Sequence, residues 1–346
     1  MSLDWKSPTV TVPAKRHSAT SINQDRLTEL RDSGCDSDLL LARLDYVEQD
    51  GMRKIMQEMV KSPRVYPEML PTQASGRWST KKPALVGAVR QFWKRPVIRP
   101  NPGEWWVEWD WQGIEARMFT GYTGDEEDVT LFKQGKDIHT FTCSKYLFGW
   151  APDLGTDCEP SVYCLPTDWE GAKDERRVRA KNFRYGVLQY GLDERAILGM
   201  PGIEKLGLKR SELLDRAKRF LQARPKALAW KALIMEQCQT AKMARTFMGR
   251  RRSLFGKPDD RAKQGLAHMI SGSVADLMDW SLIAITRQFP TSSLILNKHD
   301  GAIMAFPDNL ACEPTQAAVR LIVEKEWEVG QGITMSFPAD WRVTNA

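Results

Sequence analysis

The chain has 346 residues, of which 27% are charged and 42% hydrophobic, and it carries a formal net charge of +6. That length can bury one large core or two to three small ones without help from disulfides, and the composition is that of a soluble globular protein, not a collagen-like or disordered one. No run approaches the roughly eighteen apolar residues of a membrane span, and the first segment lacks a signal-peptide apolar core, so no membrane partner is expected.

Cys35, Cys143, Cys158, Cys164, Cys238 and Cys312 are too scattered for a disulfide framework. Cys158 and Cys164 are close, but no second Cys/His pair accompanies them to complete a zinc site. The positive charge is uneven. Arg176, Arg177, Arg179, Lys181 and Arg184 crowd one stretch and Arg250, Arg251 and Arg252 another. Such clusters suit a polyanionic partner, and a solvated helix face is the plain alternative.

Residues 1–35 are polar, basic and aperiodic, which predicts a flexible basic arm. Apolar residues at helical spacing (Leu39, Leu40, Leu44, Val47, Met52, Ile55, Met56, Met59) then predict a helix or helix pair, with Gly51 as a break. Seven prolines between residues 62 and 103 predict extended connecting structure, with a compact turn at Ser75-Gly76-Arg77. Trp105 to Trp111 is aromatic and β-branched and reads as a strand. Helices are expected over 114–122, 137–148 and 172–189, with a long loop at 149–171. Pro225 should open a helix to about Phe247, Asp259 or Asp260 should cap one to Arg287, and Pro314 should open a last one to about Trp327. Before that last helix, Leu294–Leu296 and Ala302–Phe306 flank Lys298-His299-Asp300-Gly301, a β-hairpin pattern.

Asp110 at a strand end and Asp300 in a hairpin turn are hard oxygen donors of the type that holds paired divalent ions for phosphoryl transfer. Taken singly, an Asp at such a place is usually a turn or helix cap. Arg177, Lys181 and Tyr185 are spaced four apart and share one helical face. An Arg and a Lys one turn apart can grip a triphosphate, with the aromatic stacking on a sugar or base; a surface helix with an inward Tyr is the alternative.

Asp110-Trp111-Gln112-Gly113-Ile114-Glu115-Ala116-Arg117 resembles motif A of the family A, polymerase-I-like DNA polymerases. Gly124-Asp125-Glu126-Glu127 and Gly135-Lys136-Asp137-Ile138-His139-Thr140 continue that pattern. Arg177, Lys181, Tyr185, Tyr190 and Gly191 resemble motif B, and His299-Asp300 motif C. Gly249-Arg250-Arg251-Arg252, Gly272 to Asp276 and Ser75-Gly76-Arg77 resemble further elements, in the family's order from about Tyr66 to Pro307.

The resemblance implies an α+β right-hand fold with an antiparallel-sheet palm, helical fingers and a reduced thumb. Its parts would be a flexible arm (1–35), a thumb remnant (36–65), palm (66–125), fingers (126–258) and palm again (259–346). It implies template-directed addition of dNTPs to a primer 3′-hydroxyl with two Mg²⁺ ions, Mn²⁺ serving as a substitute. Asp110 and Asp300 would hold the metals. Lys181 would protonate departing pyrophosphate, and His139, Arg177 and Lys181 would contact the triphosphate. Glu115 would exclude a 2′-hydroxyl, Tyr185 would pack on the sugar, and Tyr190 would stack near the template. Arg77, Arg250, Arg251, Arg252, Ser271 and His299 would face primer–template DNA. A compact, phage- or mobile-element-like enzyme without proofreading is expected, cytoplasmic in a bacterial or phage-infected cell, with a separate processivity or nuclease subunit as a further partner.

Departures from the family pattern qualify this. Gln189 is an extra residue before Tyr190-Gly191, and at ~100° per residue it turns Tyr190 off its face unless the helix bulges. Gly301 stands where a glutamate is common, so an auxiliary carboxylate is absent there; Ser271 stands where a glutamine is common and Ala84 where an asparagine is, so minor-groove hydrogen bonds should be fewer. A non-catalytic DNA-binding subunit is the rival from another class. A single-subunit RNA-polymerase relative is the third, and Glu115 disfavours it.

Overall fold

The computed structural model describes residues 53–55, 57, 59, 67–70, 75–82, 84–85, 99–149, 168–189, 197–200 and 206–345. The chain divides into two compact units, 1–57 and 58–346. In the first, residues 53–55 and 57 are helical. The basic arm, Tyr190, Gly191, Cys158 and Cys164 lie outside the described residues, as does most of the thumb segment.

The second unit carries, in chain order, strands β1 (Glu68–Leu70), β2 (Ser79–Lys81) and β3 (Glu104–Trp111), followed by helices α1 (Ile114–Thr123), α2 (Glu126–Lys133) and α3 (Ile138–Phe141). Helix α4 (Glu175–Arg184), α5 (Arg210–Gln222) and α6 (Pro225–Ala241) lead to a small hairpin, β4 (Met243–Arg245) and β5 (Arg251–Ser253). Helices α7 (Pro258–Ala267) and α8 (Ser273–Gln288) precede β6 (Ser293–Asn297) and β7 (Gly301–Pro307). Helix α9 (Cys312–Val323) and strands β8 (Trp327–Gly330), β9 (Ile333–Met335) and β10 (Ala339–Asn345) complete it.

The central sheet has four antiparallel strands in the order β10-β3-β7-β6. Alternation sorts its faces. Trp105, Val107, Trp109 and Trp111 of β3 lie opposite or beside Phe306, Met304 and Ala302 of β7 in one buried cluster. Trp105 stacks on Phe306 with centroids 5.0 Å apart. Glu108 and Asp110 point to the other face. The tryptophans of this strand are therefore core residues, which is the cheaper use of so much apolar area.

Three helices continue as π-helix: α3 over Thr142–Phe148, α4 over Tyr185–Gln189 and α7 over His268–Gly272. Inserted residues are absorbed in this way, often at functional sites. The extra residue Gln189 falls inside the second of these stretches, which supplies the bulge its spacing demanded.

Several predicted boundaries are corrected. The helix opened by Pro225 ends at Ala241, not Phe247, because Lys242 adopts a left-handed conformation (φ 53°) and turns the chain into the β4–β5 hairpin. Lys257, with no side-chain cap bond, precedes α7, and Asp259 and Asp260 lie within its first turn, where carboxylates favour the positive helix end. The last helix starts at Cys312 and ends at Val323. Trp327 lies in β8, and β8, β9 and β10 were not foreseen. Among the described residues no helix is long and apolar enough to cross a membrane.

A buried charge network ties the helices together. The Arg224 guanidinium donates to Glu127 at 2.6 Å and to Asp128 at 3.2 Å, and Arg184 pairs with Asp128 as well. Tyr146 donates to Glu127 at 2.7 Å, and Lys145 pairs with the same carboxylate. Burial works against ionisation of Asp128, but the two arginines outweigh it and hold the carboxyl below its usual range.

Candidate active site

Asp110 occupies the last exposed position on the open face of β3, opposite Gly301 of β7 and Asp340 of β10. Asp300 precedes β7 in the turn, and its carbonyl accepts a hydrogen bond from the Trp111 N–H at 2.7 Å. Both side chains are exposed at the mouth of the sheet. Burial against the strand and then the Asp300 charge push the Asp110 carboxyl from the usual 3.8 up to about 6, with Asp340 and Glu108 adding to the rise and Lys298 opposing it. Crowded carboxylates of this kind are relieved by a bound cation, so the donor set fits a divalent metal. Among the described residues no three His, Cys, Asp or Glu side chains come together in a group that could hold a metal ion. Water and substrate oxygens would have to complete the coordination.

The turn is shaped by two residues. His299 has φ 80°, uncommon for a residue with a Cβ, and its N–H donates to Asn297 Oδ1 at 3.1 Å. Gly301 has no room for a side chain: a Cβ there would meet the Trp109 carbonyl oxygen at 2.1 Å and Asp110 Cα at 2.9 Å. Close approach of β3 and β7 thus explains the missing acidic neighbour of Asp300. Asp340, which the sequence did not single out, pairs with Asp110 from the neighbouring strand and adds a third negative charge to the field there. It accepts from Gln112 Nε2 at 2.7 Å. Only the register of an unforeseen strand could have found it.

Glu115, in the first turn of α1, accepts from Ser271 Oγ at 2.7 Å and forms an ion pair with Arg77. Arg77 stands on the Ser75-Gly76 turn, where a Cβ on Gly76 would meet Arg250 Nη1 at 2.3 Å. Arg250 donates to the carbonyls of Ser75 at 3.1 Å and Gly272 at 2.7 Å and pairs with Asp276. His299 joins this cluster to the aspartates. Burial and then the Arg77 charge lower its pKa, against Asp300 and Glu115, so all three lie within electrostatic range of its ring. Arg77, Glu115, Ser271, Arg250, His299 and Asp300 are therefore brought together. Arg251 is exposed and Arg252 half-buried on the β4–β5 hairpin.

The basic helix builds a second cluster. Asp137 caps α3 by accepting from the N–H groups of His139 and Thr140, each at 3.2 Å, and it also accepts from Arg177 Nε at 2.5 Å and Nη2 at 2.9 Å. The His139 ring lies 5.5 Å from that of Tyr185, and Lys181 Nζ sits 5.9 Å from the Tyr185 centroid. Burial drives His139 down to about 3, so it stands neutral at physiological pH. Its Nδ1 is buried without a hydrogen-bond partner. His139, Arg177, Lys181 and Tyr185 thus form one group, with Arg177 already engaged by Asp137.

An antiparallel sheet that ends in paired aspartates, joined through the chain to a basic helix bearing Lys181 and Tyr185, accords with a right-hand polymerase fold. The chain belongs to DNA polymerase family A, whose family model matches residues 6–343. The thermostable DNA polymerase I of Thermus thermophilus is 28% identical over 289 residues, covering 78% of this chain and 31% of that protein. DNA polymerase I of Chloroflexus aurantiacus is 30% identical over 263 residues, 72% of this chain and 25% of its own length. The chain therefore spans about a third or less of these relatives. The POL domain of Pol1 from M. smegmatis, in complex with DNA primer-template and dNTP, superposes with a TM-score of 0.69 over 96% of this chain and 57% of that one, at 19% identity. That likeness establishes the fold.

Proposed function

We propose that this chain catalyses template-directed DNA synthesis, attack of a primer 3′-hydroxyl on the α-phosphate of a dNTP with release of pyrophosphate. The observation that carries the proposal is the pairing of Asp110 and Asp300 at an exposed sheet mouth, where burial and then the neighbouring Asp300 charge raise the pKa of Asp110. Asp110 and Asp300 would hold two Mg²⁺ ions, with Mn²⁺ as a substitute, and Asp340 would add to the negative field that attracts them. Such ions, when bound, activate the attacking hydroxyl and neutralise charge on the phosphates.

The chain's own residues do the rest. Neutral His139 can donate to a phosphate oxygen without a titration step, and Lys181 brings a compact positive charge and a proton for the leaving pyrophosphate. Arg177 would hold the triphosphate while its contact with Asp137 fixes His139 in place. Tyr185 would pack on the sugar, and Tyr190, outside the described residues, would stack near the template. Glu115, held by Arg77 and Ser271, would occupy the space of a 2′-hydroxyl. Arg77, Arg250, Arg251, Arg252, Ser271 and His299 would line the path of primer–template DNA. Catalysis of this kind rests on positioning and charge stabilisation.

Primer extension by the purified chain with Mg²⁺ and dNTPs tests the proposal. An Asp110→Asn, Asp300→Asn double variant should lose extension while retaining DNA binding. Full activity in that variant would overturn the assignment, and DNA binding by the wild type without incorporation would favour a non-catalytic subunit.

A further inference from the structure

The β4–β5 hairpin leaves one face to solvent. Met243 pairs with Ser253 and Arg245 with Arg251, and all four are exposed, while Ala244 and Leu254 are buried. The pairing continues one step further, since the Leu254 N–H donates to the Lys242 carbonyl at 2.8 Å. Alternation therefore carries Phe255 onto the same face as Arg251 and Ser253. Phe255 is 73% exposed, the one aromatic among the exposed large hydrophobic side chains of the described residues.

Three features separate this tip from an ordinary exposed side chain. Its backbone is fixed: Gln264 Nε2 donates to the Phe255 carbonyl at 2.8 Å, Gln264 Oε1 accepts from the Phe255 N–H at 3.4 Å, and Arg261 donates to the Gly256 carbonyl at 2.7 Å. Gly256, at φ 92° and with Asp260 Oδ2 at 3.2 Å from a would-be Cβ, makes the turn that presents the ring. Secondly, Arg245 and Arg251 stand directly across from each other with Lys242 and Lys257 nearby, and neither arginine has an ion pair among the described residues. Like charges at such a position destabilise a strand pair unless an anion lies over them. Asp259 and Asp260, the acidic groups closest in sequence, sit in the first turn of α7. Thirdly, the hairpin is rooted at the candidate site through Arg250, which binds the Ser75 and Gly272 carbonyls beside Ser271.

We propose that this face binds an unpaired stretch of DNA, with Phe255 stacking on a base and Arg245 and Arg251 pairing with the phosphates on either side. A held aromatic beside unpaired arginines is the stacking platform and electrostatic track that single strands use. A duplex interior is excluded as the occupant because its bases are already stacked on each other. This inference rests on the polymerase proposal for the meaning of the site, but it is tested by binding alone.

The experiment uses the full chain with a fluorescent primer–template bearing a 5′ overhang, the same duplex made blunt, and the overhang strand by itself. Phe255→Ala should weaken overhang and single-strand binding roughly tenfold and blunt-duplex binding less than twofold, with unchanged thermal stability. Phe255→Trp should restore affinity, and Phe255→Leu should not. Arg245→Ala should reduce the slope of log affinity against log salt by about 0.7 on the single strand. Equal losses on blunt and overhang DNA, wild-type affinity in Phe255→Ala, or rescue by Phe255→Leu would overturn the inference. So would concentration-dependent self-association that Phe255→Ala abolishes. If the wild type extends primers and these variants bind normally, the inference falls and the polymerase proposal stands.

Discussion

Replacing Asp110 by asparagine should inactivate the chain and also stabilise it. The carboxyl is pushed from 3.8 to about 6 by burial and by Asp300, so at pH 8 it is ionised in both folded and unfolded states and the folded state carries the cost. Each pH unit is worth ~1.4 kcal/mol, so the gap of about two units sets an upper limit of ~3 kcal/mol. The side chain is exposed at its tip, and solvent screening reduces this to ~1–2 kcal/mol. The sign follows from a raised carboxyl pKa: the wild type gains stability as pH falls from about 6 toward 3.8, where the native carboxyl takes up its proton first. Urea unfolding in EDTA should therefore show Asp110→Asn as the more stable protein at pH 8, with the difference gone near pH 4. Adding Mg²⁺ at pH 8 should stabilise the wild type preferentially and narrow the gap. A variant that is no more stable at pH 8, or whose advantage is the same at pH 4, would refute the view of these carboxylates as mutually repelling and ready for a cation.

Gly301→Ala should unfold or separate the β3–β7 pair, since both nearest atoms to the new Cβ are backbone; a loss of about 3 kcal/mol by thermal denaturation is expected. Asp128→Ala leaves Arg184 and Arg224 buried without their shared carboxylate and should cost ~3–5 kcal/mol in urea unfolding, since an uncompensated buried charge is the expensive product. Glu115→Ala removes the carboxylate that Arg77 and Ser271 hold in place. Single-nucleotide insertion should then show discrimination against rNTPs falling roughly tenfold or more.

The sequence by itself determined the strand at Trp105–Trp111, the hairpin around His299-Asp300, the basic helix, and the family. Each rests on local information: alternation, turn chemistry, four-residue spacing, and short motifs in a fixed order. Trp105, Trp106, Trp109 and Trp111 of that strand are all buried, because apolar area that large has few other places to go. Strands β4, β5, β8, β9 and β10 were not legible. Each is stabilised by a partner distant in sequence or by the packing beneath it, and local propensity carries little of that signal.

Only the tertiary structure decided what surrounds the two aspartates. Asp340 faces Asp110 through the register of a strand more than two hundred residues away. Gly301 is glycine because the backbone of β3 passes within a Cβ's reach, which no property of the turn itself reveals. Arg77, Glu115 and Ser271 meet from three separate elements, and Arg177 proves to be bound to Asp137. Identity and periodicity are written along the chain, whereas the electrostatics of a site depend on distances that only folding sets.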